Sequence, residues 1–197
     1  MLIATISNEE TNALPTCTFA GEIIVVDTPE MMEKAEKILE NEKALGVDTE
    51  TRPAFSKGTH YKMALLQVST SNCALLFRLQ QTPLSQNIID ILANPNIAKI
   101  GAALKDDISG LQKTIGQFTP KGFVDLQNVI DQWGVQEKSV RKMAAIVVGA
   151  KVSKAQRLSN WEAKNLTTAQ QTYAAIDAWV CLEIYKKLLK IPKAKAL

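Results

Sequence analysis

Residues 44–78 have the sequence ALGVDTETRPAFSKGTHYKMALLQVSTSNCALLFR, in which three apolar segments are separated by polar breaks. Short segments rich in β-branched and apolar residues, bounded by polar residues, are typical of strands. The three strands predicted here are Ala44–Glu50, Met63–Ser69 and Cys73–Arg78. Because only polar breaks lie between them, we expect the three strands to form a meander.

The flanking sequence predicts helices on both sides of this meander. Before it, the pattern indicates a strand at Glu22–Asp27 and a helix at Thr28–Glu42, with Thr28 as the N-cap and Pro29 at the first helical position. After it, strands and helices alternate. The predicted elements are the helix Leu84–Leu92, the strand Ala98–Ala103, the helix Asp106–Ile115, the strand Phe123–Asp125 and the helices Leu126–Trp133, Val140–Val148 and Thr168–Leu189. This order predicts an α/β fold with a mixed β-sheet and helices on both faces.

The composition is that of one globular domain. The chain has 197 residues, of which 46% are hydrophobic and 22% are charged. We expect a single domain over 1–197 with a core of about 22–190, and no membrane span, because no run of about 18 apolar residues occurs. The first residues do not resemble a signal peptide. The sequence also lacks GxGxxG and GxxxxGK[ST], so a nucleotide cofactor is unsupported.

Histidine and cysteine usage excludes several kinds of site. His60 is the only histidine, which disfavours histidine-rich zinc sites and Ser/His/Asp catalysis. The cysteines Cys17, Cys73 and Cys181 are odd in number and form no CxxC pair, so neither a zinc site nor a disulfide framework is expected. A reducing, cytoplasmic location fits this pattern.

Charge is distributed unevenly along the chain. Residues 1–50 hold 11 acidic and 3 basic side chains, whereas residues 51–197 hold 9 acidic and 20 basic ones. No acidic residue occurs between Lys138 and Trp161. The six basic residues of this stretch are Lys138, Arg141, Lys142, Lys151, Lys154 and Arg157. Two interpretations are open: a solvated helix surface, or a surface that attracts phosphates.

Two acidic residues stand at the end of the first meander strand. Side chains two apart on a strand share a face, so Asp48 and Glu50 would lie side by side. Two carboxylates at that distance repel each other unless they share a proton or a cation, and a hard divalent ion prefers such oxygen ligands. The alternative is a strand end that opens into solvent.

The last predicted helix places a third carboxylate on an apolar face. Tyr173, Asp177, Val180, Ile184 and Leu188 recur at spacings of 4, 3, 4 and 4, which is one side of a helix. An unpaired carboxylate is costly there, so Asp177 needs a partner. Tyr173 lies one turn earlier and can hold a water beside a metal ion. The alternative partner for Asp177 is a lysine or arginine.

A fourth carboxylate belongs to the segment KIGAALKDDISGL. Asp107 borders the apolar stripe of Ile108, Leu111 and Ile115, while Asp106 lies toward the outside of the helix. We therefore assign Asp107 to the site and interpret Asp106 as the helix N-cap. The choice between the two aspartates is open at this point.

Taken together, these segments resemble the DEDDy family of 3′–5′ exonucleases, a branch of the ribonuclease H-like fold. The resemblance runs from about Ala44 to Leu189. The motifs are the D-x-E of residues 48–50, the strand-to-helix segment ending at Asp107 and the Y-x-x-x-D of residues 173–177. The segments KMALLQVST, CALLFRL and LSNWEAKNLTTAQQTYAAIDAW are most similar to the Werner-type exonuclease domain and next to ribonuclease D. Relatives often carry an Asn or a Gly-rich lead before the second motif, where this chain has Ala102 to Lys105.

The resemblance implies a two-metal mechanism. Asp48, Glu50, Asp107 and Asp177 would ligate two Mg²⁺ or Mn²⁺ ions about 4 Å apart. Tyr173 would position the attacking water, because a phenol with a free pKa near 10 is a poor base at neutral pH. The products would be nucleoside 5′-monophosphates.

The resemblance also suggests contacts with the substrate. The backbone around Thr49 and Thr51 would hold the terminal sugar, and the basic stretch would contact phosphates. Trp161 is either a base-stacking residue or, more in keeping with its type, a buried one. Asp125 is interpreted as a helix cap or structural group.

The expected partner is nucleic acid, with DNA favoured over RNA by the Werner-type pattern. Three alternatives are open: an exoribonuclease of the ribonuclease D type, a catalytically silent nucleic-acid-binding module, and an adaptor whose carboxylates pair with arginine and lysine. The chain ends soon after the last motif, so we expect target choice to depend on this domain or on a separate partner.

Overall fold

A computed structural model describes residues 2–56, 58–116 and 118–194. The strands are β1 Glu22–Val26, β2 Ala44–Thr51, β3 Met63–Ser69, β4 Cys73–Arg78, β5 Ala98–Gly101 and β6 Phe123–Asp125. The helices are α1 Asn8–Ala13, α2 Pro29–Leu39, α3 Gln86–Ala93, α4 Leu104–Ile115, α5 Leu126–Val129, α6 Val140–Val147 and α7 Thr168–Leu189. A 3₁₀ turn, Ile130–Trp133, continues α5.

The six strands form one mixed sheet in the order β1-β4-β3-β2-β5-β6. β2, β3 and β4 are antiparallel neighbours, as the predicted meander requires. β1 runs parallel to β4, β5 to β2 and β6 to β5. β2 is therefore a central strand, and its carboxyl end lies where the antiparallel and parallel halves of the sheet meet.

Apolar side chains of the sheet pack against helices on each face. On one face, α2, α3 and α4 contribute Ala35, Ile88 and Leu111 to a core that also contains Val47 of β2. On the other face, α5, α6 and α7 pack around Ile100 of β5. The predicted α/β architecture, with a mixed sheet covered on both faces, is confirmed. Within the described helices, none combines the length and the apolar character needed to cross a membrane.

Several predicted bounds differ from the structure by one to three residues, and three differences go further. The helix α1 was not predicted, because its sequence NEETNA is polar and its N-terminus is defined by a capping box between Ser7 and Glu10. The helix predicted at Leu126–Trp133 is divided into α5 and the 3₁₀ turn. The prediction of Asp106 as an N-cap is wrong, since α4 begins at Leu104 with Ala103 in the N-cap position.

Candidate active site

A glycine of the central strand lets the last helix approach the sheet closely. A Cβ atom on Gly46 of β2 would lie 2.0 Å from the carbonyl oxygen of Ala178 in α7, a distance that no side chain tolerates. Because alternate strand residues share a face, Gly46, Asp48 and Glu50 all point toward α7. The contact therefore brings Asp177, the residue before Ala178, to the end of β2.

Three carboxylates converge at this place. Ligand oxygens of Asp48, Glu50 and Asp177 lie within 4.8 Å of one another. Within the described parts of the chain, the ion pairs involve Glu22, Glu137, Glu162 and Glu183, and none involves these three groups. Among the described residues the cluster is therefore not neutralised by a direct ion pair, and its all-oxygen donor set fits a hard divalent cation.

The electrostatics of the cluster reflect burial and mutual repulsion. Burial raises the pKa of Glu50 to about 9, and the charges of Asp48, Asp177 and Asp107 add to the increase. Burial likewise raises the pKa of Asp177 to about 7. The pKa of Asp48 is also raised, first by burial and then by the charges of Asp177 and Asp107. Without a cation, these groups compete for protons near neutral pH.

Asp107 adjoins the cluster from the opposite side of β2. It lies in the first turn of α4 and is half-buried, whereas its neighbour Asp106 is exposed. The hydroxyl of Thr49 donates a hydrogen bond to Oδ1 of Asp107. Thr49 thus contacts a carboxylate through its side chain, a role that alternation along β2 could have indicated, because Thr49 points away from Asp48 and Glu50.

Tyr173 stands one helical turn before Asp177 and is half-buried. Burial raises the pKa of its hydroxyl, and so do the charge of Asp177 and a hydrogen bond to it. Its ring packs against Trp161, with ring centroids 6.0 Å apart. Trp161 is fully buried, so it supports Tyr173 from within the core and offers no face to a base. Tyr173 is protonated at neutral pH and can act as a hydrogen-bond donor.

A basic wall faces the carboxylates across a cavity of about 180 Å³. Asp48, Asp177 and Tyr173 line one side of this cavity; the basic residues lining it are Arg141, Lys154 and Arg157. Arg157 is near enough to lower the pKa of Glu50. Part of the predicted basic stretch therefore faces the carboxylates and not bulk solvent alone.

The N-terminal segment, which the sequence specified weakly, braces this wall. The Arg141 guanidinium donates to the side-chain oxygen of Asn12 in α1. Lys151 Nζ donates to the Asn12 carbonyl at 2.5 Å. Thr16 forms an isolated parallel bridge with Lys151. These contacts are long-range in sequence, so no local pattern could have revealed them.

Gln67 is a buried polar residue beside the site that sequence reasoning missed. It lies on β3 directly opposite Asp48 in the antiparallel register and is fully buried. Among the described residues, neither Nε2 nor Oε1 of its amide has a hydrogen-bond partner. The available signal was a single amide in the apolar strand MALLQVS.

Asp125 holds the start of α4 in place. Its Oδ1 accepts from Ala103 N and its Oδ2 from Leu104 N, both at 3.0 Å, and Oδ1 also accepts from Gln127 N at 2.9 Å. One carboxylate therefore caps α5 and the N-terminus of α4. Ala103 adopts a left-handed conformation with φ of 59°, which turns the chain from β5 into the helix that carries Asp107.

Comparisons with known proteins show the family of this chain. The family model described as 3′-5′ exonuclease matches residues 23–192. The human exonuclease mut-7 homolog is 28% identical over 182 residues, covering 79% of this chain and 21% of that protein. The mouse bifunctional 3′-5′ exonuclease/ATP-dependent helicase WRN is 29% identical over 187 residues, covering 89% of this chain and 13% of that protein. The chain thus spans less than a quarter of the length of either relative.

The fold is shared with a solved nuclease. The crystal structure of RNase D from Escherichia coli, described as an exoribonuclease involved in structured RNA processing, superposes with a TM-score of 0.76 at 22% sequence identity. The superposition covers 86% of this chain and 44% of that chain. At this identity the likeness concerns the fold alone, and it confirms the predicted ribonuclease H-like architecture.

Proposed function

The chain belongs to the 3′-5′ exonuclease family, and we propose that it hydrolyses phosphodiester bonds from the 3′ end of a nucleic acid, releasing nucleoside 5′-monophosphates. The observation that carries this proposal is the convergence of Asp48, Glu50 and Asp177, whose oxygens lie within 4.8 Å of one another and form no ion pair with the described residues. A site that only binds nucleic acid gains nothing from a cluster of half-buried carboxylates, because they repel the phosphates of the backbone.

Members of this family depend on divalent metal ions, and the donor set fits such ions. We propose that Asp48, Glu50, Asp107 and Asp177 hold two of them, Mg²⁺ or Mn²⁺. Bound ions of this kind lower the pKa of a water nucleophile and stabilise the leaving oxygen. Asp107 approaches from α4 while the others come from β2 and α7, which supports a ligand set broad enough for more than one ion.

The remaining site residues orient the attacking water, neutralise the phosphate and bind the terminal sugar. Tyr173, kept protonated by its raised pKa, orients the attacking water with its hydroxyl proton. Arg141, Lys154 and Arg157 offset the charge of the phosphate. The backbone at Thr49 and Thr51 holds the terminal sugar, since both residues line the cleft beside Asp107.

For the substrate, we propose DNA over RNA. The support is the similarity to WRN, which extends over 89% of this chain. The specific alternative is an exoribonuclease, because RNase D of Escherichia coli, which shares the fold, is described as one. Rates on DNA and RNA oligonucleotides of matched sequence decide between them: a faster rate on RNA contradicts the DNA proposal, because the 2′-OH is the feature that distinguishes the two substrates.

The proposal also includes the bounds of the domain and the cellular location of the protein. We propose one exonuclease domain over 1–197 with its motif-bearing core at about 22–190, which agrees with the match at residues 23–192. A cytoplasmic, reducing location is supported by Cys17, Cys73 and Cys181, which are free and buried.

The direct test uses a 5′-labelled single-stranded oligonucleotide with Mn²⁺ or Mg²⁺. We expect a ladder of products shortened from the 3′ end, lost in EDTA and reduced by several orders of magnitude in Asp48→Asn and Asp177→Asn. Asp131→Asn, an exposed acidic residue outside the cluster, is the matched control and keeps full activity. Intact oligonucleotide under every metal condition contradicts the proposal.

The catalytically silent module is distinguished by metal binding. Titration calorimetry with Mn²⁺ is expected to give binding that Asp48→Asn abolishes. A silent module binds oligonucleotide but shows no heat with Mn²⁺.

A further inference from the structure

We propose that the loop between β2 and β3 captures unpaired bases next to the scissile bond, so that the enzyme selects nucleic acid with a single-stranded 3′ end. This loop, residues 52–62, is described apart from residue 57. The inference rests on the proposed function and adds the substrate form and the residues that recognise it. Three features of the loop support it: the cleft it borders, its exposed aromatic ring and its charge.

The two ends of the loop line a cleft that also contains Asp107. The cleft has a volume of about 1010 Å³, and its lining includes Thr51, His60 and Tyr61 on one side and Asp107 and Lys113 on the other. Sites for drug-sized ligands have volumes of roughly 300–1,000 Å³. This cleft therefore accommodates more than one nucleotide, whereas the 180 Å³ cavity at the basic wall is too small for a whole one.

Because the cleft and the cavity differ in volume, we assign different parts of the substrate to each. Both begin at the proposed catalytic carboxylates, since Asp107 lines the larger cleft and Asp48 and Asp177 line the smaller cavity. A phosphate fits the smaller, cationic cavity. The terminal nucleoside and the bases next to the scissile bond then lie in the larger cleft, whose lining includes residues at both ends of the β2–β3 loop.

At the tip of this loop, Phe55 is 82% exposed. It is the most exposed large hydrophobic residue of the described chain; Ile3, Leu158 and Leu189 range from 56% to 63%. The loop leaves the cleft wall at Thr51 and returns to it at His60, so Phe55 belongs to the short segment that connects two lining residues of the cleft. A free aromatic ring at this place offers a face for stacking by any base.

The base of the loop is held in position. Arg52 forms an ion pair with Glu162 at 3.3 Å, and its guanidinium lies 4.8 Å from the centroid of the Tyr61 ring. Gln80 Nε2 donates to Glu162 Oε1 at 3.1 Å and to the Lys62 carbonyl at 3.3 Å. The two ends of the loop are therefore tied to each other and to Glu162, which reduces the ordering that binding requires.

The charge of the loop favours a polyanion. Residues 52–62 contain no aspartate or glutamate, but they contain Arg52, Lys57 and Lys62. Apart from Asp106 and Asp107, the described lining of the cleft carries no carboxylate. Aromatic and basic residues interleaved along a groove are the combination that binds single strands.

The test measures binding without turnover. Wild type and Phe55→Ala are mixed, in EDTA, with a 5′-fluorescein single-stranded DNA 12-mer and with the same strand carrying abasic sites at the second to fourth positions from its 3′ end. We expect Phe55→Ala to raise the Kd for the intact strand on the order of tenfold and to respond little to the abasic sites, whereas wild type loses affinity for the abasic strand. Phe55→Trp is expected to keep wild-type affinity.

Leu189→Ala is the matched control, because Leu189 is 63% exposed but lies at the far end of α7. With Mn²⁺, Phe55→Ala should raise KM for the 12-mer and leave kcat unchanged. The inference is overturned if Phe55→Ala leaves the Kd unchanged or if Leu189→Ala weakens binding equally. It is also overturned if wild type and Phe55→Ala are equally sensitive to abasic sites, or if wild type does not bind the strand. Stacking by Phe55 in a protein that releases no nucleotide would overturn the proposed function instead.

Discussion

The hydroxyl of Thr49 donates a hydrogen bond to Asp107 and so joins the end of β2 to the first turn of α4. The two residues are 58 positions apart in the chain. Because Thr49 lies between Asp48 and Glu50 on the strand, one short segment presents two carboxylates to one face and orients a third from the other.

Removing the Thr49 hydroxyl should weaken metal binding. In Thr49→Val the shape is kept but Asp107 loses its donor, and substitution of such supporting groups typically costs about 10–100-fold in affinity or activity. The rate of nucleotide release as a function of Mn²⁺ concentration measures this. Thr49→Ser keeps the hydroxyl and should behave as wild type; an unaltered Mn²⁺ dependence in Thr49→Val would show that the hydrogen bond is dispensable.

The metal-free protein should lose stability as pH rises. The pKa of Glu50 is raised to about 9 from 4.5 and that of Asp177 to about 7 from 3.8, so the folded state holds protons that the unfolded state releases. Their contribution to the free energy of unfolding is complete below about pH 4 and is lost progressively up to about pH 9.

Thermal unfolding in EDTA between pH 5 and pH 9 tests this dependence. Mn²⁺ should reverse the loss at the alkaline end, because it binds the ionised carboxylates of the folded state. Glu50→Gln removes one raised group and should flatten the slope, which separates this effect from other titrating residues. A slope that Glu50→Gln leaves unchanged contradicts the assignment.

Loss of the Asp125 carboxylate should destabilise the protein through the start of α4. Asp125→Ala removes the acceptor for Ala103 N, Leu104 N and Gln127 N, and the loss of a single cap costs about 0.5–2 kcal/mol. We expect the free energy of unfolding, measured by denaturant titration, to fall by about 2 kcal/mol. Asp131→Ala, at an exposed acidic residue, is the control; an equal effect in both variants argues against capping.

Glycine should be favourable at position 103. Ala103 has φ of 59°, and the left-handed region costs a residue with a Cβ atom about 1–2 kcal/mol. Glycine avoids this cost, but its larger conformational entropy in the unfolded state offsets part of the gain. Ala103→Gly is therefore expected to raise the free energy of unfolding by roughly 0.5–1 kcal/mol. Ala102→Gly, at the preceding residue with negative φ, should lower it, so a loss of stability in Ala103→Gly would contradict the argument.

The buried side-chain amide of Gln67 should lower the free energy of unfolding. A buried polar group without a partner costs about 1–3 kcal/mol, and among the described residues Gln67 has none. Gln67→Met should therefore raise the melting temperature. Gln170→Met is the matched control: Gln170 is also buried, but its amide accepts from Thr167 N and donates to the Asn160 carbonyl, so its replacement should lower the melting temperature. A lower value in Gln67→Met shows that the amide is satisfied.

Elements with strong local signals were predictable. The meander strands follow from apolar runs, and the helix α7 follows from its long, largely apolar sequence and its capping box at Thr167. The helix α1 has a capping box, but its sequence is polar and short, and the start of α4 is set by Asp125, which is 22 residues from Ala103. Local patterns carry no information about an acceptor supplied by another strand.

The sequence by itself determined which residues share a face: Asp48 with Glu50 through the strand period, and Tyr173 with Asp177 through the helix period. Only the tertiary structure decided that these faces meet, because the meeting depends on Gly46 admitting the backbone of α7 at a distance no Cβ atom allows. It also decided the place of Arg157 and of the β2–β3 loop. Proximity between distant segments arises from packing, which periodicity within one segment does not encode.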